Sequence, residues 1–505
     1  MLTFMRNIFQ NKNNGENIFL WSAWGIFFFL VIKASIHWTN GISDTIEHLQ
    51  AAWFVGTGKV PYRDFFEHHN SLLWYILAPI VKLFAYNANI IYVAKILAVI
   101  LYFFCFGLMY HIISKHLANK QIAKLSLIYL MILPIVSGLI NIRPDVFMLL
   151  CNLLSLNYFY NYLDNKRRRD LIISYVLLSV SFLFLQKSLV FILGFGLGNL
   201  YMLYKRRVAW KDCLIAGFVA IIPLVLFAYY LYVTNSFADY YFYNFVFNFQ
   251  LREYFGNIRW DKNLHIYALL SLLIYVRFLR SDDKNLFLAI IVAAQALSLW
   301  YFAPYSHYFV SYFVFSAVGV GYLFQKLGKL FPDISCYVCV FVILLTFYNI
   351  YNRKDDGFLQ TIENAKYLAN PQLKVLSLNG GCIYCQPVQY HWFFYGVAAV
   401  VDDLYNKKGD EPNQLIASQK ADVVFIPDSG SFELMYPHNY NVLRRLFWRS
   451  IQKYNEGNEL NFNLKYWKID HSLLKENYEE IKIKNGGTMW KRKNTSLPAI
   501  SKENG

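Results

Sequence analysis

Apolar runs long enough to cross a bilayer recur along the first two thirds of the chain, each closed by a short polar stretch. About 20 residues at the helical rise cross a hydrocarbon layer of about 30 Å. The pattern therefore predicts about eleven membrane helices, at 18–36, 87–113, 122–140, 146–163, 171–185, 188–204, 213–233, 263–279, 286–302, 308–325 and 333–350. The stretch 71–86 is apolar but short and carries Pro79 and Lys82, which predicts an interfacial helix. After residue 351 the pattern changes. Short apolar runs at 374–380 and 421–430 are strand-like and closed by turn residues. Segments 356–369 and 437–454 read as helical, and 479–493 as strand, turn at Asn485-Gly486-Gly487, strand. The expected fold is an α-helical polytopic membrane protein over 1–350, with a long first external loop at 37–86, followed by a small external α/β domain over 351–505.

Composition agrees with that class. Hydrophobic residues make up 57% of the chain and charged residues 16%, against about a quarter charged in soluble domains. The formal net charge of +16 would suggest nucleic acid in a soluble protein. Here the basic residues gather in short loops: Lys115/Lys120/Lys124, Lys166 to Arg169, Lys205 to Lys211, Arg277/Arg280/Lys284 and Lys326/Lys329. Such loops face the cytoplasm, which argues against a nucleic-acid partner. The N-terminus then lies inside, as a retained signal anchor. The 44–75 loop, the turns near Arg143 and Lys187, the 234–262 loop, the 303–307 turn and the C-terminal domain lie outside. Five cysteines fall in or beside spans and read as small apolar residues. Cys382 and Cys385 form a C-x-x-C that reads first as a local disulfide, with a metal or redox site as the alternative.

The stretch Asp44 to Tyr75 stands out. It carries Asp44, Glu47, Asp64 and Glu67, with His48, His68 and His69. Ionisable groups at a bilayer edge are expensive, and a cluster of them marks a functional site. Glu67 with His68, and His307 on the same expected side, are candidate ligands for a divalent cation; a metal-free polar cluster is the other reading. Arg63, Arg143, Lys187 and Arg252 are candidate anion-binding cations. For Arg143 the alternative is a structural pair with Asp145, and for Lys187 it is snorkelling to the headgroups. Aromatics of the 234–262 loop suit either sugar stacking or the headgroup belt.

These motifs carry a resemblance. Asp44-x-x-Glu47-His48, the run Gly58-Lys59-Val60-Pro61-Tyr62-Arg63-Asp64-Phe65-Phe66-Glu67-His68-His69, and Ile142-Arg143-Pro144-Asp145 resemble the bacterial GT-C glycosyltransferases that use polyprenyl-phosphate sugars. Relatives in that superfamily include aminoarabinose transferases and protein O-mannosyltransferases. Thr45 stands where a second acid often follows Asp44, and His68-His69 where the aminoarabinose transferases have Lys-Pro. The resemblance implies transfer of a sugar from a polyprenyl-phosphate donor to a lipid, glycan or protein acceptor, on the periplasmic side of the inner membrane. It implies Asp44 as the base, with Glu47 beside it; the alternatives are a helix cap and a solvated helix-face charge. For such a donor, Arg63, Arg143, Lys187 and Arg252 are the candidates to bind the phosphate, and Tyr62, His69 and Asp145 the candidates to touch sugar or acceptor. A lipid-linked glycan flippase and an O-antigen-type polymerase or ligase are the rival classes. A flippase predicts matching halves and mid-span charges; neither stands out.

Overall fold

The computed structural model of the protein describes residues 12–38, 42–131, 136, 138–248, 262–278, 281–299, 306–331, 333–352, 357–377, 381–393, 411–425, 469–483 and 488–493. In chain order the helices are α1 (Lys12–Ser35), α2 (Ile42–Gly56), α3 (Leu72–Leu83), α4 (Ile90–Ile112), α5 (Lys120–Tyr129), α6 (Pro144–Asn165), α7 (Arg168–Phe184), α8 (Ser188–Tyr204), α9 (Trp210–Val233), α10 (Phe237–Tyr241), α11 (Lys262–Phe278), α12 (Asp283–Leu299), α13 (Ser306–Leu330) and α14 (Ile334–Asn352). The C-terminal part adds α15 (Phe358–Tyr367), β1 (Lys374–Ser377), β2 (Gln386–Pro387), α16 (Pro412–Ala417), β3 (Val423–Phe425), α17 (His471–Asn477), β4 (Tyr478–Lys482) and β5 (Thr488–Arg492). Residues 437–454, expected to be helical, lie outside the described residues.

Two compact units divide the chain, and neither is continuous. One comprises Met1–Asn40, Ala94–Phe227 and Trp260–Lys354; the other comprises Gly41–Val93, Ala228–Arg259 and Asp355–Gly505. The first loop therefore clusters with the C-terminal part of the chain.

The first unit is helical. Helix falls on each of the eleven segments that the apolar pattern marks. Six helices among the described residues are long and apolar enough to cross a membrane: Ile18–Ser35, Ile90–Leu117, Pro144–Asn165, Trp210–Val233, His307–Leu330 and Ile334–Asn352. Helices α7, α8, α11 and α12 have 17 residues each, a rise of about 25 Å. Six of the eleven expected segments thus reach spanning length and composition among the described residues. Small residues set the packing between α8 and α12. A side chain at Gly194 would meet Ile291 and Ala294 of α12 at 3.0 Å, and one at Gly198 would meet the Phe287 ring at 2.7 Å, while Gly196 between them faces open space. Two glycines four residues apart let the helices approach closely, which is how helices associate where lipid removes the hydrophobic drive.

One end of this unit is tied by the basic loops. Asp164, at the end of α6, pairs with Lys284 and with the ring of His116, the latter at 2.9 Å. Arg168 meets Asp212 at 2.7 Å and Arg207 meets Asp283 at 2.7 Å. Loops 113–119, 164–168, 205–212 and 281–285 therefore share one end of the unit. Each exposed pair adds at most about 1 kcal/mol, so their value is in registering helix ends.

The second unit holds the sheet, in the order β2-β1-β3-β5-β4, parallel across β2, β1 and β3 and antiparallel across β3, β5 and β4. Alternation along the strands builds two cores. Leu376 and Val424 join Leu415, Ile416 and Leu474 on one face. Val375, Val423, Phe425 and Met489 join Leu368 and the Cys382–Cys385 disulfide on the other. A strand with apolar residues on both faces is buried from both sides. The β4–β5 pair is antiparallel, as the two-strand reading of 479–493 predicts, while the turn expected at 485–487 lies outside the described residues. Helix α3, with 12 residues and Pro79 inside it, is short of a span.

Candidate active site

The chemistry of the second unit centres on α2 and the loop behind it. Glu47 and His48 lie mid-helix on α2, fully buried. The chain then turns at Gly58, whose φ of 91° suits a residue without Cβ. Tyr62 occupies the same left-handed region at φ 68°, which is strained for an aromatic residue. The surroundings hold it there. Its hydroxyl donates to the His69 carbonyl at 2.7 Å, the Val60 amide donates to Asp64 Oδ2 at 2.7 Å, and the Tyr390 hydroxyl donates to the Tyr62 carbonyl.

This folded loop delivers Glu67, His68 and His69 to Glu47. His69 Nδ1 lies 3.3 Å from Glu67 Oε2 and 3.5 Å from Glu47 Oε1. Ligand atoms of Glu47, Glu67, His68 and His69, one each, all fall within 4.8 Å of one another. Burial would raise Glu67, but the hydrogen bond and charge of His69 override it and hold the carboxyl at about 2. Burial would lower His69, but the hydrogen bonds and charges of Glu47 and Glu67 lift it to about 10. Glu47 is pushed well above the carboxylate range, first by burial and then by the charge of Glu67. Burial and mutual charge thus drive the two carboxyls in opposite directions around His69. His48 Nδ1 accepts from the Trp74 indole at 3.3 Å, which leaves the proton on Nε2.

The donor set also fits a divalent cation. Two carboxylates and two imidazoles suit a first-row transition ion better than calcium, which takes oxygen ligands. Glu67 Oε1 is buried and has no hydrogen-bond partner among the described residues, a cost of about 1–3 kcal/mol that a ligand would relieve.

Two further segments clamp the loop. From the 237–248 turn, Asn248 Nδ2 donates to the His68 carbonyl at 3.0 Å, the Tyr240 hydroxyl donates to Asn70 Oδ1 at 3.0 Å, and the rings of Tyr243 and Phe247 pack edge-on against Phe66. From the C-terminal part, the Trp392 indole donates to the Phe66 carbonyl at 2.9 Å and the Phe66 amide donates to the Tyr390 carbonyl at 3.2 Å. None of these partners was marked singly by the sequence. Their aromatic and amide types are common in this chain, and their contacts span up to 328 positions.

Asp44 sits in the first turn of α2. It is therefore neither the last residue of the first span nor the cap of α2, and it precedes Glu47 by one turn on the same side of the helix. Acidic charge there suits the helix dipole. Asp44 is half-buried, unlike Glu47 and Glu67. Arg63 is exposed and engaged by Asp64 at 2.8 Å and by the Thr234 carbonyl at 3.0 Å. Arg252 lies outside the described residues.

In the first unit, Arg143 Nε meets Asp145 Oδ2 at 3.2 Å, both buried, at the start of α6. Lys187 precedes α8, its ammonium 3.3 Å from the Tyr308 ring centroid. Asp145, Lys187 and His307 line one pocket. His307 belongs to this unit, and Glu67 and His68 belong to the other.

With this geometry in view, the comparison with known families is informative. Residues 68–233 match the model of the dolichyl-phosphate-mannose-protein mannosyltransferase family. The matched stretch runs from His68 past Arg143, Asp145 and Lys187, and it supports a GT-C-type membrane glycosyltransferase. A search of curated proteins gives no match.

Proposed function

We propose that the protein moves a sugar from a polyprenyl-phosphate donor to a lipid, glycan or protein acceptor on the outer face of the cytoplasmic membrane. The observation that carries this reading is the buried set Glu47, Glu67, His68 and His69, one turn from Asp44, in a chain with a mannosyltransferase-type match. In the step, the acceptor oxygen attacks the anomeric carbon. The bond from that carbon to the phosphate oxygen breaks, and its electron pair leaves with the lipid phosphate. The hydroxyl proton passes to Asp44, whose partial exposure keeps it open to an acceptor. Arg143 and Lys187, and separately Arg63 and Arg252, are the candidate cations to offset the charge on the leaving phosphate. Arg143 places Nε on Asp145, and a guanidinium carries five N–H donors in all, in a fork that matches phosphate oxygens.

A divalent ion, when bound, would be held by Glu47, Glu67, His68 and His69 and would supply positive charge there. The remaining work falls to the chain. The loop positions the carboxylates, and their burial strengthens every charge interaction among them.

The test is a transfer assay. Membranes containing the protein, supplied with polyprenyl-phosphate sugars labelled with tritium in the sugar, should pass label covalently to an envelope acceptor. Glu67→Gln protein at matched abundance should not. Label that crosses the membrane without forming a new glycosidic bond would make the protein a carrier and overturn the reading.

A further inference from the structure

The pocket of the first unit carries a second observation. It is lined from α4, α6, α8, α12 and α13. Four of its lining side chains present buried polar atoms with no hydrogen-bond partner among the described residues: the Tyr102 hydroxyl, Asn152 Nδ2, the Ser188 hydroxyl and Gln295 Oε1. All four residues are more than nine-tenths buried. Two are oriented by their other ends. Ser181 donates to Asn152 Oδ1 at 2.7 Å, and Gln295 Nε2 donates to Ser311 Oγ at 3.1 Å. The orientation leaves Asn152 a free donor and Gln295 a free acceptor, with a hydroxyl from Tyr102 and another from Ser188.

Buried polar groups go unpaired rarely, and each costs about 1–3 kcal/mol. Four around one pocket, inside helices that read as membrane-embedded, need an occupant that both donates and accepts. A monosaccharide does so, since nearly every ring carbon carries a hydroxyl. The charge at the pocket adds an anion. Lys187 lines it, as does Asp145, whose carboxylate is paired with Arg143, and α6, α8 and α13 all begin at it, so their positive dipole ends converge there. We infer that this pocket binds the sugar-phosphate end of a lipid-linked donor, with Tyr102, Asn152, Ser188 and Gln295 reading the sugar hydroxyls. The inference rests on the transferase reading and adds to it the residues that recognise the sugar.

Tyr102→Phe and Ser188→Ala test it cleanly, because each removes a hydroxyl that holds no partner among the described residues. A packing role predicts no effect on any ligand. The inference predicts that each variant binds a short-chain polyprenyl-phosphate hexose about 3- to 10-fold more weakly, the loss of one hydrogen bond. Binding of the same polyprenyl phosphate without sugar should stay within about twofold by that reasoning, and thermal stability should not fall. Unchanged hexose binding in both variants, in a protein that transfers sugar, would mean that the pocket holds only water and would overturn the inference alone. Equal losses for the two ligands would also overturn it, since the sugar would not be what is read. A wild-type protein that neither binds nor transfers any such sugar overturns the transferase reading with it.

Discussion

At the scale of single residues, burial separates the acids. Glu47 and Glu67 are sealed around His69, whereas Asp44, one turn earlier on α2, stays half-open. Asp44→Asn keeps the shape and removes the basicity. Transfer should fall by about 10²- to 10⁴-fold, the usual loss with a general base, while the protein accumulates normally. Wild-type turnover in that variant would end the assignment. Arg143 gives a sharper contrast. If its guanidinium serves the donor phosphate, Arg143→Lys weakens donor binding, because lysine cannot form two parallel bonds. If it serves only Asp145, Asp145→Ala and Arg143→Ala lower thermal stability alike and leave donor binding intact. The cluster of acids and histidines was legible in the sequence because ionisable groups at a bilayer edge are costly and seldom kept without a use. Tyr102, Asn152, Ser188 and Gln295 were not, because single polar residues in apolar runs are ordinary. Only their convergence on one pocket marks them.

At the scale of elements, the loop from Gly58 to Ser71 has the precision of a helix without being one. Its strained Tyr62 persists because carbonyls at Tyr62, Phe66 and His68 are bonded from elsewhere in the unit and the Tyr62 hydroxyl itself bonds the His69 carbonyl. Trp392→Phe keeps the ring and deletes the donor to the buried Phe66 carbonyl, a cost of about 1–3 kcal/mol. Amide exchange across 60–70 should rise while exchange in α4 and α6 stays unchanged. Uniform protection in the variant would show that the indole hydrogen bond does not hold the loop. Local elements were readable where a local signal exists: the two-strand pattern of 479–493 gave the β4–β5 pair, and the apolar triplets gave β1 and β3. The α2 helix was read only as an alternative role for Asp44 and Glu47 within an expected external loop. Its ISDTIEHLQAAWFVG sequence buries ten of its residues, among them Glu47, His48 and Gln50. Polar residues on a buried face defeat a hydrophobic pattern.

At the scale of the whole molecule, charge sets the orientation. The paired loops 113–119, 164–168, 205–212 and 281–285 hold most of the Lys and Arg clusters, and such loops stay in the cytoplasm. Reporter fusions after residues 120, 208, 282 and 360 should read inside, inside, inside and outside. An inside signal at 360 would remove the argument for an external site. The unit boundaries were less legible than the spans, because segments 41–93, 228–259 and 355–505 are joined by contacts between distant stretches of chain rather than by any local pattern.

That three-part assembly has a consequence for biosynthesis. His69 leaves the ribosome more than 300 residues before Trp392. At about 5–20 residues per second, the gap is roughly 15 to 65 seconds. During that interval the metal-capable histidines and carboxylates have only part of their scaffold, and the Phe66 carbonyl has no indole to receive. The nascent loop needs water or a chaperone in place of its own C-terminal residues, and a ribosome that stalls or a message that ends early leaves the membrane helices made but the site unassembled.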